Sequence, residues 1–341
     1  MLGYVMPRAL RVEYEGATYH VMCRGNRGAR IFEVQKDTDL WLKTLAESCE
    51  RSQLVVHAYC LMRTHYHLLL ETPKGNLVEG MKWLQATFTQ RYNALHRQWG
   101  HLFQGRYKAK LVDSDPAYFR TAGLYILLNP VDAGLIDLRK KNLETYPWSA
   151  YASYLKPPTK RPRWLQTERL MSSFGIGSDS ASGRRAFAAY VKERGLSLQL
   201  KKLDSSEQRE WKSMERGWVH GGAAFREAMI NLLKEQSKAN RSIPGDQRRD
   251  IGESEAKSAL HKGMKVFGLV PGKLDTLRKG DEYKLLLAGW IRRHFPVSAK
   301  WCADQLAMGH ITSITKAWHF YEKPPKKWKK QKIALDQILK K

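Results

Sequence analysis

Two apolar, strand-rich runs, "LVVHAYCLM" (54–62) and "HYHLLLE" (65–71), are joined only by Arg63-Thr64. A link that short returns the chain antiparallel beside itself, as a tight hairpin. The sequence around this hairpin narrows the fold further. Before it, "ATYHVMC" (17–23) alternates like a strand, and in 36–51 Leu40, Leu42 and Leu45 suggest a helix. After it, Leu77, Met81, Leu84, Phe88, Tyr92 and Leu95 recur every three or four residues, one continuous apolar stripe of a helix. Asn76 stands where it can cap that helix, with Glu79 three residues on as in a capping box. "RYKAKLV" (106–112) then alternates again. The order β-α-β-β-α-β predicts an α+β fold, the ferredoxin-like split βαβ, with an antiparallel sheet, helices on one face and the other face free for a site.

Farther along, Asp115-Pro116 reads as an N-cap and first helical residue. The helix "AYFRTAGLYILLN" must stop near Asn129, because Pro130 disfavours helical geometry in the residue before it. The basic, proline-rich "KPPTKRPRW" (156–164) suggests a boundary, giving a domain at 1–155 and a mainly α-helical region at 156–322. Within that region 236–256 reads as a flexible loop, and 323–341, opening "KPPKKWKKQKI", as a mobile basic tail. Residues 297–321 read as helix, short turn at Met308-Gly309-His310, and second helix capped by Thr312. That is a helix-turn-helix pattern whose second helix would begin with Ser313, Thr315 and Lys316 as DNA-contacting residues. An ordinary helical hairpin in a bundle fits the same pattern.

Charge points to the partner. With 59 Lys+Arg against 33 Asp+Glu in 341 residues, the net charge is +26. A field of that size draws in polyanions, and cations that displace phosphate counterions give affinity without sequence preference. A nucleic acid is favoured over a merely basic surface of the ribosome-associated kind. No uninterrupted apolar run of about 18 residues predicts a membrane span. The start lacks the apolar stretch of a secretory signal, and Met6 is an alternative first residue. Cys23, Cys49, Cys60 and Cys302 form no C-x-x-C pair, which suits reduced thiols in a cytosol.

Alternate residues of a strand share a face, so His65 and His67 project side by side, as two ligands of one cation must. Alone the pair is weak, since strand histidines are commonly structural. The helix at 117–129 strengthens it. Tyr118, Ala122, Tyr125 and Asn129 fall on one face, partly polar in an otherwise apolar helix. Packing with satisfied hydroxyls explains that face, and so does a phenolic nucleophile one turn from an amide ligand. Tyr118 is the rival nucleophile, but Ala122 stands four residues beyond it. Tyr151 and Tyr154 read as packing residues beside Trp148; His20 and His57, on neighbouring strands, could join the site but read better as satisfied structural histidines.

"LMRTHYHLLLE", "GHLFQGRYKAKLV", "RGNRGARIF" (24–32), "LYILLNPVDAGL" and the following "YPWSAY" resemble the single-tyrosine HUH transposases, above all the REP-associated tyrosine transposases. The resemblance spans roughly residues 6–155, its motifs in the family's order. It implies that His65, His67 and Asn129 bind a divalent metal, Mg²⁺ or Mn²⁺, and that Tyr125 is catalytic. The implied reaction cleaves and rejoins single-stranded or hairpin DNA, such as a REP-like repeat, through a 5′-phosphotyrosine. It also implies a bacterial, cytoplasmic, nucleoid-associated protein, monomeric or homodimeric, and likens 297–321 to the C-terminal extension of longer members. Tyr66 departs from the pattern, because the family usually has a bulky aliphatic between the two histidines.

Two imidazoles and an amide would leave about three positions of an octahedral ion open for phosphate and water. Imidazole suits softer ions than Mg²⁺, so Mn²⁺ fits at least as well. For the substrate, Arg24, Asn26, Arg27 and Arg30 fall in a loop leaving the first strand, suited to gripping a phosphate backbone. Gln104, Arg106, Tyr107 and Lys108 add an aromatic for stacking on unpaired bases. The competing expectation is a DNA- or RNA-binding regulator that keeps the fold and basic surface without cutting.

Overall fold

The computed structural model describes residues 10–237, 243, 245–270 and 272–339. They fall into two compact units, one of Arg11–Arg226 and one made of the described residues from Glu227 onward. The first unit holds strands β1 (Ala17–Arg24), β2 (Val55–Met62), β3 (His65–Thr72), β4 (Lys108–Val112) and β5 (Val219–His220). Its helices are α1 (Gln35–Ser52), α2 (Leu77–His96), α3 (Pro116–Leu127), the single turns α4 (Asn129–Asp132) and α5 (Tyr151–Tyr154), α6 (Glu168–Ser172), α7 (Ala181–Gln199) and α8 (Ser205–Glu215).

The sheet runs β2-β3-β1-β4-β5. Its first four strands are antiparallel neighbours in the expected split-βαβ order, and Arg63-Thr64 closes the hairpin between β2 and β3. The two-residue β5 adds a parallel edge to β4 that the periodicity did not foresee. Helices α1 and α2 cover one face. There Phe32, Trp41, Tyr66, Phe88 and Phe103 interlock, with ring centroids 4.3 to 6.3 Å apart. Tyr66 is fully buried among them, and its hydroxyl accepts a hydrogen bond from Gln85 Nε2 at 3.0 Å. The departure at Tyr66 is therefore a core residue whose one polar atom is satisfied from α2.

The opposite face is not free, as expected, but carries α3, which packs on β2 and β3. Asp115 caps α3 through Ala117 N at 2.8 Å, with Pro116 as its first residue. The regular helix ends at Leu127, and Asn129 opens a further turn. Gly123 lets α6 approach, since a Cβ there would run into the Leu170 side chain. The capping box foreseen at α2 is not made. Asn76 Nδ2 instead donates to Ser52 O at 3.0 Å, and the Glu13 carboxylate accepts from the exposed N–H of Val78 at 2.7 Å. The acidic partner comes from outside the helix and does the same work at its positive end.

The boundary expected at 155/156 lies inside the first unit. Arg161 ties the proline-rich segment inward, donating to Ser153 O and Lys156 O, each at 2.9 Å, and pairing with Asp179. Trp164 packs on Tyr59 at 5.7 Å, and Gln166 N donates to Val56 O at 2.8 Å. A basic, proline-rich string reads as a linker only while its acidic partner, here Asp179, is out of view.

The rest of the chain is helical: α9 (Ala223–Ser237), α10 (Gly245–Val266), α11 (Lys273–Thr276), α12 (Glu282–His294), α13 (Ala299–Gln305), α14 (Thr312–Glu322) and α15 (Lys329–Ile338). The second unit centres on Trp290, Leu286, Leu287 and Ile291 of α12. Gly289 lets α14 cross at backbone contact, where a Cβ would meet Ala317 O and the Tyr321 side chain. The expected loop 236–256 is helical from Gly245 onward, with Ala256 buried, while 238–242 and 244 lie outside the described residues. The expected tail 323–341 holds a helix at Lys329–Ile338, while 340–341 lie outside the described residues. Leu335 is buried, and Trp328 Nε1 donates to Glu282 Oε2 at 3.0 Å. Trp328 before the helix and Leu335 within it, with Ile338 packed against the same core, dock a helix that carries three lysines. The helix-turn-helix pattern appears as α13 and α14, but Thr312 does not cap. Its hydroxyl meets His310 Nδ1 at 3.1 Å, and Ile311 holds the cap position. Ser313 is half-buried, and Thr315 and Lys316 are exposed.

Candidate active site

His65 and His67 project from β3 toward α3, with ring centroids 4.9 Å apart. His67 is 3% exposed and half-buried His65 sits at the strand's start. Each is held through its Nδ1. That of His65 meets Thr64 Oγ1 at 3.0 Å, and that of His67 meets His20 Nε2, from neighbouring β1, at 2.8 Å. His67 Nε2 is buried without a hydrogen-bond partner. A buried polar atom is normally satisfied, so an orphan asks for a missing partner. Burial and neighbouring cations hold the imidazoles neutral. His65 is lowered to about 4 by burial and Arg24, and His20 to about 3 by burial, Lys110 and His220. His67 lies well below its ordinary value for the same first reason. Neutral imidazole is the form that ligates a metal.

Helix α3 delivers Tyr125 to this cluster. Its ring stands edge-on to His67 at 6.0 Å and to His20 at 5.5 Å. Asn129 is buried one helical turn on, in α4. Among the described residues no group of three or more His, Cys, Asp or Glu could hold a cation. Asn129 is the amide that the sequence suggests as a ligand beside the two histidines. The donor set and the orphaned Nε2 fit a divalent metal. The other polar residues of the face divide differently. Tyr118 packs edge-on to His220 at 5.1 Å, while His57 meets Glu71 at 3.4 Å and Phe119 at 5.0 Å, a structural role.

Helix α8 is the part of the site that the sequence did not signal. Trp211 lies against Tyr125 at 5.1 Å, leaving Tyr125 only 9% exposed. Burial, with Glu215 and Asp132 nearby, pushes the Tyr125 phenol up to about 12. Lys110, buried on β4, latches the end of α8 by donating to the carbonyls of Ser213 and Arg216. Ser213 Oγ also bonds His220 Nδ1 at 2.8 Å, and Thr121 Oγ1 donates to Glu210 Oε2 at 3.3 Å. A capping box of Asp204 and Glu207 marks the start of α8 in "DSSE", but nothing in its spacing says which face of the sheet it covers.

The two predicted DNA-binding loops meet. Asn26 N donates to Leu102 O and Gln104 N to Arg24 O, each at 2.8 Å, while Gly25 N reaches Thr64 O at 2.7 Å beside His65. Arg24, Arg27, Arg30, Gln104, Arg106 and Lys108 are exposed there, and Asn26 is half-buried. Tyr107 is not available for stacking on bases. It is 6% exposed, with the Arg11 guanidinium 3.9 Å above its ring.

Residues 13–126, about a third of the chain, match the family model described as "Transposase IS200 like". No curated protein matches. Among solved structures, that of a REP-associated tyrosine transposase bound to a REP hairpin aligns at 16% identity and a TM-score of 0.38. It covers 48% of this chain and 93% of its own. A candidate transposase from Deinococcus radiodurans R1 aligns at 19% identity and a TM-score of 0.26, covering 31% of this chain and 86% of its own. Among the described residues no helix is long and apolar enough to cross a membrane. The segment that is similar to the IS200-like transposases is thus the one that carries four of the five strands, both histidines and the tyrosine.

Proposed function

We propose that this chain is a metal-dependent, single-stranded DNA endonuclease and strand transferase, acting on hairpin-bearing DNA. The observation that supports it most is the meeting of His65, His67 and Tyr125 in one chain, with His67 Nε2 left unpartnered. His65, His67 and Asn129 would hold the cation, Mg²⁺ or Mn²⁺, which when bound polarises the non-bridging phosphate oxygens. The Tyr125 phenolate attacks phosphorus, the bond to the 3′-oxygen breaks, and that oxygen leaves as a hydroxyl after taking a proton. A 5′-phosphotyrosine results. The reverse attack by a 3′-hydroxyl restores the phosphodiester and frees the phenol, with no ATP consumed. The joined loops carrying Arg24, Asn26, Arg27, Arg30, Gln104, Arg106 and Lys108 would hold the strand near His65. Ser313, Thr315 and Lys316 on α14 would add a second DNA contact. The chain would act as a monomer or a homodimer. The cytoplasm, at the nucleoid, is the matching location.

A second reading, a DNA-binding regulator that does not cut, draws on the cover over Tyr125. Hairpin oligonucleotides with Mn²⁺ or Mg²⁺ separate the two. The nuclease gives an SDS-resistant DNA adduct that disappears in Tyr125→Phe and in the double variant His65→Ala/His67→Ala, with DNA binding largely kept. If no hairpin yields an adduct, the regulator reading stands. If Tyr125→Phe still forms one, the nucleophile lies elsewhere.

A further inference from the structure

We infer that His20 is the positioning residue for His67, fixing the tautomer that presents an Nε2 lone pair to the cation; this rests on the metal site proposed above. The 2.8 Å contact between His20 Nε2 and His67 Nδ1 joins two rings stacked within 15° of parallel, both 3% exposed. A hydrogen bond between two imidazole nitrogens needs one N–H and one lone pair, so the tautomer of each ring sets the other. In one arrangement His67 accepts at Nδ1 and carries its proton on Nε2, a buried N–H with no acceptor. In the other it donates from Nδ1, and Nε2 keeps its lone pair. Orphaned buried N–H groups are the rarer kind, and only the second arrangement can ligate a metal.

His65 is built alike. Its Nδ1 faces Thr64 Oγ1 at 3.0 Å, which again leaves Nε2 as the donor atom. The two predicted ligands thus expose the same ring nitrogen, each braced from behind by a different strand or turn. His20 also stands beside the proposed nucleophile, its ring edge-on to Tyr125 at 5.5 Å. A histidine that only filled space would not need its Nε2 aimed at a second imidazole.

Two readouts test this on the full chain. The first is the His67 tautomer in metal-free protein, read from long-range ¹H–¹⁵N correlation spectra. The Nδ1–H form is expected, changing to Nε2–H in His20→Phe and restored in His20→Gln, whose side-chain oxygen can accept. The second is Mn²⁺ affinity, expected to fall about 10- to 100-fold in His20→Phe and to recover in His20→Gln. An Nε2–H tautomer in the wild type overturns the inference, as does unchanged Mn²⁺ affinity in a His20→Phe variant that keeps its melting temperature. Failure of the metal site itself looks different. The Nδ1–H tautomer is then found, but His67→Ala binds Mn²⁺ as well as the wild type does.

Discussion

Replacing Trp211 by alanine should speed formation of the Tyr125–DNA adduct, although it removes a large buried side chain. Trp211 lies 5.1 Å from the Tyr125 ring and is 6% exposed. Truncating a buried tryptophan costs roughly 3–5 kcal/mol. That loss should fall on the docking of α8 more than on the sheet, because Trp211 belongs to α8 while the strands and α1–α2 have their own core. Local opening of one helix at less than the global free energy is the expected response. The gain follows from the phenol. With Tyr125 pushed up to about 12 by burial, Glu215 and Asp132, only about one molecule in 10⁴ carries phenolate near pH 8. At the ordinary value near 10 the fraction is about one in a hundred, so full relief is worth at most about 100-fold. Glu215 and Asp132 remain and both hold the value up, so about tenfold is expected from ionisation, and access for DNA adds to it. The assay is single-turnover adduct formation with excess protein, a labelled hairpin and saturating Mn²⁺, followed between about pH 7 and 10. The wild-type rate should climb about tenfold per pH unit without levelling, and Trp211→Ala should be about tenfold faster across this range, with levelling only above about pH 10. Trp211→Phe should stay close to wild type. A slower Trp211→Ala with unchanged Mn²⁺ affinity would mean that the indole helps hold DNA or the tyrosine, not that it covers the tyrosine.

Tyr66→Phe removes the acceptor for Gln85 Nε2 and should cost about 0.5–1.5 kcal/mol in urea unfolding, with Mn²⁺ affinity untouched because Tyr66 faces away from His65 and His67. A loss of metal binding in that variant would refute the assignment of faces. Alkali should unfold the protein in a defined window. Burial pushes Tyr59 up to about 12 and raises Tyr19, Tyr66 and Tyr154 as well, against about 10 for the unfolded chain. Folded values above unfolded ones mean stability is intact below pH 10 and lost as pH rises through about 12, so the urea midpoint should be flat to about pH 9.5 and then fall. Gly289→Ala should lower the stability of the second unit by about 1–3 kcal/mol through overpacking against Ala317 and Tyr321, leaving adduct formation by the first unit unchanged.

What could be read from the sequence was set by how locally each feature is specified. The hairpin, both sheet-covering helices and the β-α-β-β-α-β order are fixed by periodicity and a two-residue link, and they appear with boundaries shifted by only a residue or two. Strand and helix spacing put His65, His67, Tyr118 and Tyr125 on faces that the structure reproduces, while the choice of Tyr125 over Tyr118 came from the resemblance to the transposases and not from spacing. Features that depend on a distant partner were not. Asn76 loses its cap to Glu13, and Tyr107 loses its solvent face to Arg11. The lysine-rich C-terminal helix is docked by Trp328 and Leu335, and the proline-rich segment is tied down by Asp179. In each case a partner elsewhere in the chain (Glu13, Arg11, Glu282 or Asp179) reverses what the local composition suggests.

The active face shows the consequence of that distinction for function. Helical spacing marked α3 as partly polar, and a partly polar face can be read as packing or as chemistry. His20 and Trp211 separate those readings, because each does something a bland packing residue has no reason to do. On the inference above His20 would turn the unpartnered Nε2 of His67 toward a cation, while Trp211 shields a phenol that the proposed reaction must expose. A cover over an unbraced histidine pair would suit a retired site. A braced pair beneath a cover latched by Lys110 suits a working one that is closed at rest, and the response of the adduct rate to Trp211→Ala distinguishes the two.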